Sequence, residues 1–151
     1  MIEKQVNTRR LMQIDDFNSD IFFQEDFIGY LSKVKYIFDE DVEDLPITFL
    51  MYFDKIVAMI RVIREDDSVE VRSIEFELAN KLDAIDVSDN YLWKDALGSQ
   101  LHWVWSLTNN QGYTDGIQFE WTNHSLKKSI MIQAIAIGSC FRLYKVEQFA
   151  F

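Results

Sequence analysis

The chain reads as a mainly β domain, all-β to α+β, with about eight mostly antiparallel strands in a sandwich or partly closed barrel and one or two short helices. Three observations predict this. Runs of β-branched and aromatic residues recur from Tyr30 to Gln148, separated by short polar turns. No strand–helix–strand rhythm interrupts them, so a parallel sheet is not indicated. Gly and Pro together number only 6 of 151 residues, while Phe, Tyr and Trp number 22, a composition suited to pleated, half-buried surfaces.

Residues 1–12 form a polar lead-in. Residues 15–28 have weak helical spacing, with Asp15 or Asp16 as cap and Phe17, Ile21, Phe22 and Ile28 along one side. Tyr30 to Phe38 reads as a strand with Tyr30, Val34, Tyr36 and Phe38 on one face and Lys33 and Lys35 on the other; a helix through Leu31, Val34, Ile37 and Phe38 competes with it. The acidic stretch Asp39 to Asp44, ending at Pro46, reads as a connecting loop.

Ile47 to Phe53 and Ile56 to Arg64 flank Asp54-Lys55, which predicts a hairpin with a two-residue turn. Both faces of these strands are apolar, so both are expected to be covered. Glu65 to Ser68 makes the next turn. Val69 to Leu78 reads as a strand whose apolar phase changes from odd to even positions, which predicts a bulge near Arg72-Ser73. Ala79 to Asn90 is polar and irregular, and Asn90 to Leu97 suits a short helix stopped by Gly98.

Leu101 to Leu107 reads as a strand with Leu101, Trp103, Trp105 and Leu107 on one face, the alternation expected of core residues. Its partner is Asp115 to Thr122, with Ile117, Phe119 and Trp121 facing one way, across a turn from Thr108 to Thr114. Ile130 to Ile137 and Cys140 to Gln148 flank Gly138-Ser139, which suits a type II′ hairpin. No repeat and no compositional break appears, so residues 1–151 are expected to form one domain.

The formal charge is −10. Residues 1–45 carry 11 acidic and 5 basic side chains, residues 46–90 carry 10 and 5, and residues 91–151 carry 4 and 5. Such a chain is repelled by phosphate backbones and anionic lipid. The only basic pair outside the acidic context is Lys127-Lys128, so neither nucleic acid nor membrane is an expected partner. The acidity reads either as a solvated surface or as a face for a basic protein. Cys140 is the single cysteine and lies among Ile137, Phe141 and Leu143, so a buried, inert thiol is expected. The charged start Met1-Ile2-Glu3-Lys4 has no signal-peptide core, and the apolar run Ser129 to Phe141 is 13 residues long, too short to span a bilayer. A cytoplasmic location is the expectation.

Several patterns carry a resemblance. They are Val34-x-Tyr36, Leu50-x-Tyr52-Phe53-Asp54 and Asp66-Asp67-Ser68-Val69, then Leu97-Gly98-x-x-Leu101 and Trp103-x-Trp105-x-Leu107-Thr108-Asn109-x-Gln111-Gly112-Tyr113-x-Asp115. Over roughly residues 30–147 the chain resembles a small bacterial family of unknown function. The resemblance implies a compact bacterial domain and carries no activity, cofactor or site residue with it.

Catalytic inventories come up short. His102 and His124 have no His or Cys at ligand spacing, so no metal site is expected; His102 reads as a polar strand residue facing away from Trp103 and Trp105. The clusters Asp39, Asp41, Glu43; Glu65, Asp66, Asp67; and Asp83, Asp86, Asp89 lack the calcium-loop Gly and terminal Glu. No nucleophile elbow, Walker loop or dinucleotide fingerprint is present, and no cofactor is expected. The leaning is away from an enzyme.

The sequence therefore points to a protein-binding module, immunity-like or adaptor-like, with an acidic surface for a basic partner. Its candidate binding loop is Asn109, Asn110, Gln111, Gly112, Tyr113 and Asp115, polar and aromatic groups on a turn. An alternative is a small-molecule binder or hydrolase whose pocket is lined by Trp103 and Trp105, with Glu75, Glu77 or Glu120 at its mouth. Glu120 on its own reads as an outward-facing strand residue. A third is a structural homo-oligomer paired through an exposed edge such as Ile130 to Ile137.

Overall fold

The structure, a computed structural model, describes residues 28–151. The expected helix over 15–28 lies outside these residues except for Ile28. Among these residues nine strands build two antiparallel sheets, and no barrel closes. The first sheet has the order β4-β3-β2-β1-β5, from β1 (Lys33–Asp39), β2 (Val42–Tyr52), β3 (Val57–Ile63), β4 (Ser68–Ile74) and the two-residue β5 (Ile85–Asp86). The second has the order β6-β7-β8-β9, from β6 (Gln100–Thr108), β7 (Thr114–Asn123), β8 (Lys128–Ile137) and β9 (Cys140–Ala150). Among the described residues there is one helix, α1 (Phe76–Lys81), which follows β4.

Period-two alternation fixes what each strand buries. On the first sheet Val34, Tyr36, Phe49, Met51, Ala58, Ile60, Val62, Val69 and Val71 face the interior. On the second, Ile117, Phe119, Trp121, Ile130, Ile132, Ala134, Ala136 and Phe141 meet them. Aromatic rings join the layers. Phe49 lies 5.1 Å from Phe141, 6.3 Å from Phe119 and 5.8 Å from Trp93, ring centre to ring centre, and Phe53 stacks on Trp121 at 5.9 Å. A polar tie adds to them. Asp67, in the β3–β4 turn, accepts hydrogen bonds from the backbone N–H of Gly138 (3.2 Å) and Ser139 (2.8 Å) in the β8–β9 turn.

The hairpin at Asp54-Lys55 forms as expected, closed by Phe53 N–H donating to the Ile56 carbonyl at 2.9 Å. Both faces of β2 and β3 are covered, as their composition requires. Leu50, Tyr52 and Val57 point away from the main core and form a second small one with Ala79 of α1 and the half-buried Ile37, Met59, Ile74, Leu82 and Ala84. Six residues make a marginal helix. Here Ala79 is buried, Tyr52 Oη and Asn80 Oδ1 lie 3.1 Å apart in a hydrogen bond donated by the phenol, and Glu77 and Lys81 pair at i, i+4.

Five local expectations are corrected. Asp39 to Pro46 is not a loop: β1 turns within Glu40–Asp41 and β2 already starts at Val42. Pro46, which has no N–H to give, sits opposite Phe38 where the β1–β2 register shifts. No bulge interrupts β4, which pairs with β3 in unbroken register from Val57↔Ile74 to Ile63↔Ser68. The phase change after Ile74 is the passage from strand to α1, where a period of two gives way to 3.6. Asn90 to Gly98 forms consecutive turns rather than a helix, although Lys94 N–H and Leu97 N–H bond back to the Asn90 and Trp93 carbonyls. Gly138 and Ser139 both have positive φ, 62° and 68°, the signature of a type I′ turn rather than type II′. Finally, β8 runs between β7 and β9, so Ile130 to Ile137 is an interior strand and offers no free edge.

Trp93 is buried and donates its Nε1–H to Tyr36 Oη at 2.6 Å. Burial pushes the Tyr36 phenol up to about 12 from its usual 10, the Trp93 hydrogen bond opposing the shift. In the unfolded chain the phenol ionises near 10, so the folded state holds the extra proton between these values. The stability it contributes is intact below pH 10 and is lost as pH rises through about 12. Tyr36→Phe is expected to leave the Trp93 N–H without an acceptor and cost about 1–3 kcal/mol at neutral pH. Urea midpoints followed from pH 9 to pH 12 are expected to fall less steeply in the variant than in the parent.

Candidate functional site

The site begins with a register skip. β6 pairs with β7 as Leu101↔Trp121, then as Trp103↔Glu120, so His102 is the extra residue. A bulge of this kind exchanges the two faces of a strand. Leu101 stays in the core, but Trp103, Trp105 and Leu107 turn to the outer face, while Val104 packs inward beside the core. The expectation that Leu101, Trp103, Trp105 and Leu107 share one face is thereby corrected, and so is the assignment of Trp103 and Trp105 to the core. Trp103 is 52% exposed and Trp105 38%, whereas Trp93 and Trp121 are fully buried.

Register places Glu120 beside Trp103, Gln118 beside Trp105, Met131 beside Glu120, Gln133 beside Gln118, and Tyr144 beside Gln133. The outer face of the second sheet thus carries two exposed tryptophans on β6, an exposed tyrosine on β9, and polar groups between them. Gln133 Nε2–H donates to Gln118 Oε1 at 3.0 Å. Glu120 is only 8% exposed although it points outward. Its Oε1 accepts from the buried Ser129 hydroxyl at 3.1 Å, and its Oε2 lies 3.2 Å from Nδ1 of His102. The imidazole packs against the Trp103 ring, 5.0 Å between centres. Ser129, Glu120, His102 and Trp103 therefore form one chain of contacts that fixes the bulge and, through it, the first tryptophan. The carboxylate lies between Ser129 and the imidazole, so the hydroxyl is not activated by His102 and the arrangement is no nucleophilic triad.

The loop at 109–115 is organised from within. Asn109 Oδ1 accepts the backbone N–H of Gln111 (2.9 Å) and Tyr113 (3.2 Å), and its Nδ2–H donates to Asp115 Oδ2 (3.1 Å). Gly112 has φ 88°, and its N–H bonds to the Asn109 carbonyl at 3.0 Å. The amide of Asn109 is spent on this turn. Asn110, Gln111 and Gly112 are exposed at the tip, and Tyr113 is half-buried. Of the alternative pocket set, Trp103, Trp105 and Glu120 share the outer face of the second sheet. Glu75 and Glu77 stand at the start of α1, on the outside of the first sheet, and are not brought to them.

Ser129, Gln118, Gln133 and Tyr144 belong to the tryptophan face and escape a reading based on alternation; His102, expected to face away from Trp103, packs against its ring instead. No group of three His, Cys, Asp or Glu side chains fit to hold a metal occurs among the described residues. Nor does any helix among them have the length and apolarity to cross a membrane.

Among the described residues, the fold and this surface define a two-sheet β sandwich in which one sheet is covered on both sides and the outer face of the other carries exposed aromatics. The chain belongs to the family of unknown function DUF6334, whose model matches residues 12–150. Comparison with curated proteins and with solved structures gives no match.

Replacing Glu120 by Ala leaves the buried Ser129 hydroxyl without its acceptor. The expected loss is about 1–3 kcal/mol in urea denaturation. His102→Ala, which removes an exposed partner, is expected to cost less than about 1 kcal/mol.

Proposed function

We propose that this domain is a non-catalytic protein-binding module that contacts its partner through the outer face of the second sheet. The observation that carries this reading is the exposure of Trp103 and Trp105 side by side on a strand fixed by the Ser129–Glu120–His102 contacts. Rigid aromatics offer large contact area at low entropic cost, and such residues dominate binding energy. Gln118, Gln133 and Tyr144 add hydrogen-bonding groups without fixed charge.

The charge of the rest of the chain supports a basic partner. Antiparallel order brings the β1–β2 and β3–β4 turns to one end of the first sheet, gathering Glu40, Asp41, Asp44, Glu65, Asp66 and Asp67 there. Arg64 answers Asp39 at the same end. This acidic pole favours encounter with a basic protein, and the tryptophan face supplies the lasting contact. Encounter driven by such a field is fast at low salt and slows as salt rises.

The test is affinity capture from native lysate on immobilised wild-type protein and on Trp103→Ser/Trp105→Ser, at low and high salt. The expected result is a specific partner held by the wild type at low salt, weakened at high salt, and lost with the double variant. A wild-type column that retains nothing beyond the control at low salt contradicts the reading.

A further inference from the structure

Among the described residues four strands lie at sheet edges, and three of them carry charge that discourages pairing with another chain. β4 presents Arg72 beside the buried Glu70; β5 is two residues long and contains Asp86; β9 contains Arg142, Lys145 and Glu147, with a register shift between Met131 and Ile132 of its neighbour. β6 differs. Its nine residues, Gln100-Leu-His-Trp-Val-Trp-Ser-Leu-Thr108, contain no Asp, Glu, Lys, Arg or Pro. It pairs with β7 on one side and with no strand on the other among the described residues. From Trp103 to Leu107 its register with β7 is unbroken, so this stretch is a regular template.

We propose that β6 pairs with β6 of a second copy of this chain, antiparallel about a two-fold axis at Trp105, joining the two second sheets into one eight-stranded sheet. An isologous contact must be self-complementary. About this axis Trp105 meets Trp105 of the second copy, Trp103 meets Leu107 and Val104 meets Ser106, each pair on a common face. Aromatic–aromatic and aromatic–aliphatic cross-strand pairs are favourable, and like charges directly opposed are not. The charge distribution selects the same place. Residues 28–99, which build the first sheet and its attachments, carry 16 acidic and 8 basic side chains; residues 100–151 carry 3 and 4. Two chains of −10 meet here through a charge-free strand in the half of the fold that is not acidic, whereas the β4 and β5 edges would bring acidic halves together. The tryptophans of both copies then lie along the middle of one continuous outer face. This pairing stands independently of the protein-partner reading.

Sedimentation across a wide concentration range, together with cysteine cross-linking, tests it on the full chain. Residues directly opposed in an antiparallel pair lie about 4.5–5.5 Å apart at Cα, within disulfide reach. Trp105→Cys is therefore expected to form a covalent dimer under mild oxidation. Trp103→Cys, displaced from its own copy by four residues or about 13 Å, is not. Wild-type protein, whose Cys140 is buried, is the control. Ser106→Lys is expected to shift the sedimenting species to monomer while circular dichroism stays that of the parent. The proposal is overturned by a wild-type monomer at every concentration. It is also overturned by cross-linking at 103 as readily as at 105, or by a dimer indifferent to Ser106→Lys.

Discussion

The structure depends on the burial of Phe49 and the rings around it. Phe49 is fully buried on β2, the central strand of the first sheet, and its ring meets Phe119 and Phe141 from the second sheet and Trp93 from the connection between them. Two sheets with few glycines and one proline have little irregular backbone to hold them in place, so shape complementarity between these rings sets their separation and angle. Trp93 then anchors the 90–98 turns through its bond to Tyr36, and the Asp67 carboxylate ties one pair of turns across the layers.

From this cluster follows an asymmetry between the sheets. The first sheet buries both faces, because α1 and the following segment cover Leu50, Tyr52 and Val57. Among the described residues, the second buries one. Its outer face keeps order by polar contacts instead: Glu120 with Ser129 and His102, Gln118 with Gln133. Charge divides the same way, with acidity concentrated on the first sheet and a near-neutral second sheet. A surface that carries exposed aromatics and nearly balanced charge thus sits on a body whose other half is strongly acidic.

Much of the architecture was legible in the sequence. Ile117, Phe119 and Trp121 alternate without interruption, and register with β8 holds along the whole strand, so their inward direction is readable. Asp54-Lys55 between two β-branched runs marks its hairpin for the same local reason. The failures share a cause, which is that a change of phase has more than one physical origin. After Ile74 the shift marks a helix, and a bulge was expected. At His102 a bulge exists, and nothing marks it, because Leu101, Trp103, Trp105 and Leu107 still alternate perfectly in sequence while the pairing slips beneath them. The strand reads as core in both registers. The burial of Glu120 was equally hidden, since it depends on Ser129, nine residues away on the neighbouring strand. The partial reading of the tryptophan face is thus a failure to see register, which only pairing defines.

Acrylamide quenching of tryptophan fluorescence tests the outward turn of β6 most directly. With Trp93 and Trp121 buried and Trp103 and Trp105 exposed, native protein is predicted to show a readily quenched component beside a protected one. That component is predicted to disappear in Trp103→Phe/Trp105→Phe. A quenching profile unchanged by the double substitution would place both rings in the interior and contradict the register skip at His102.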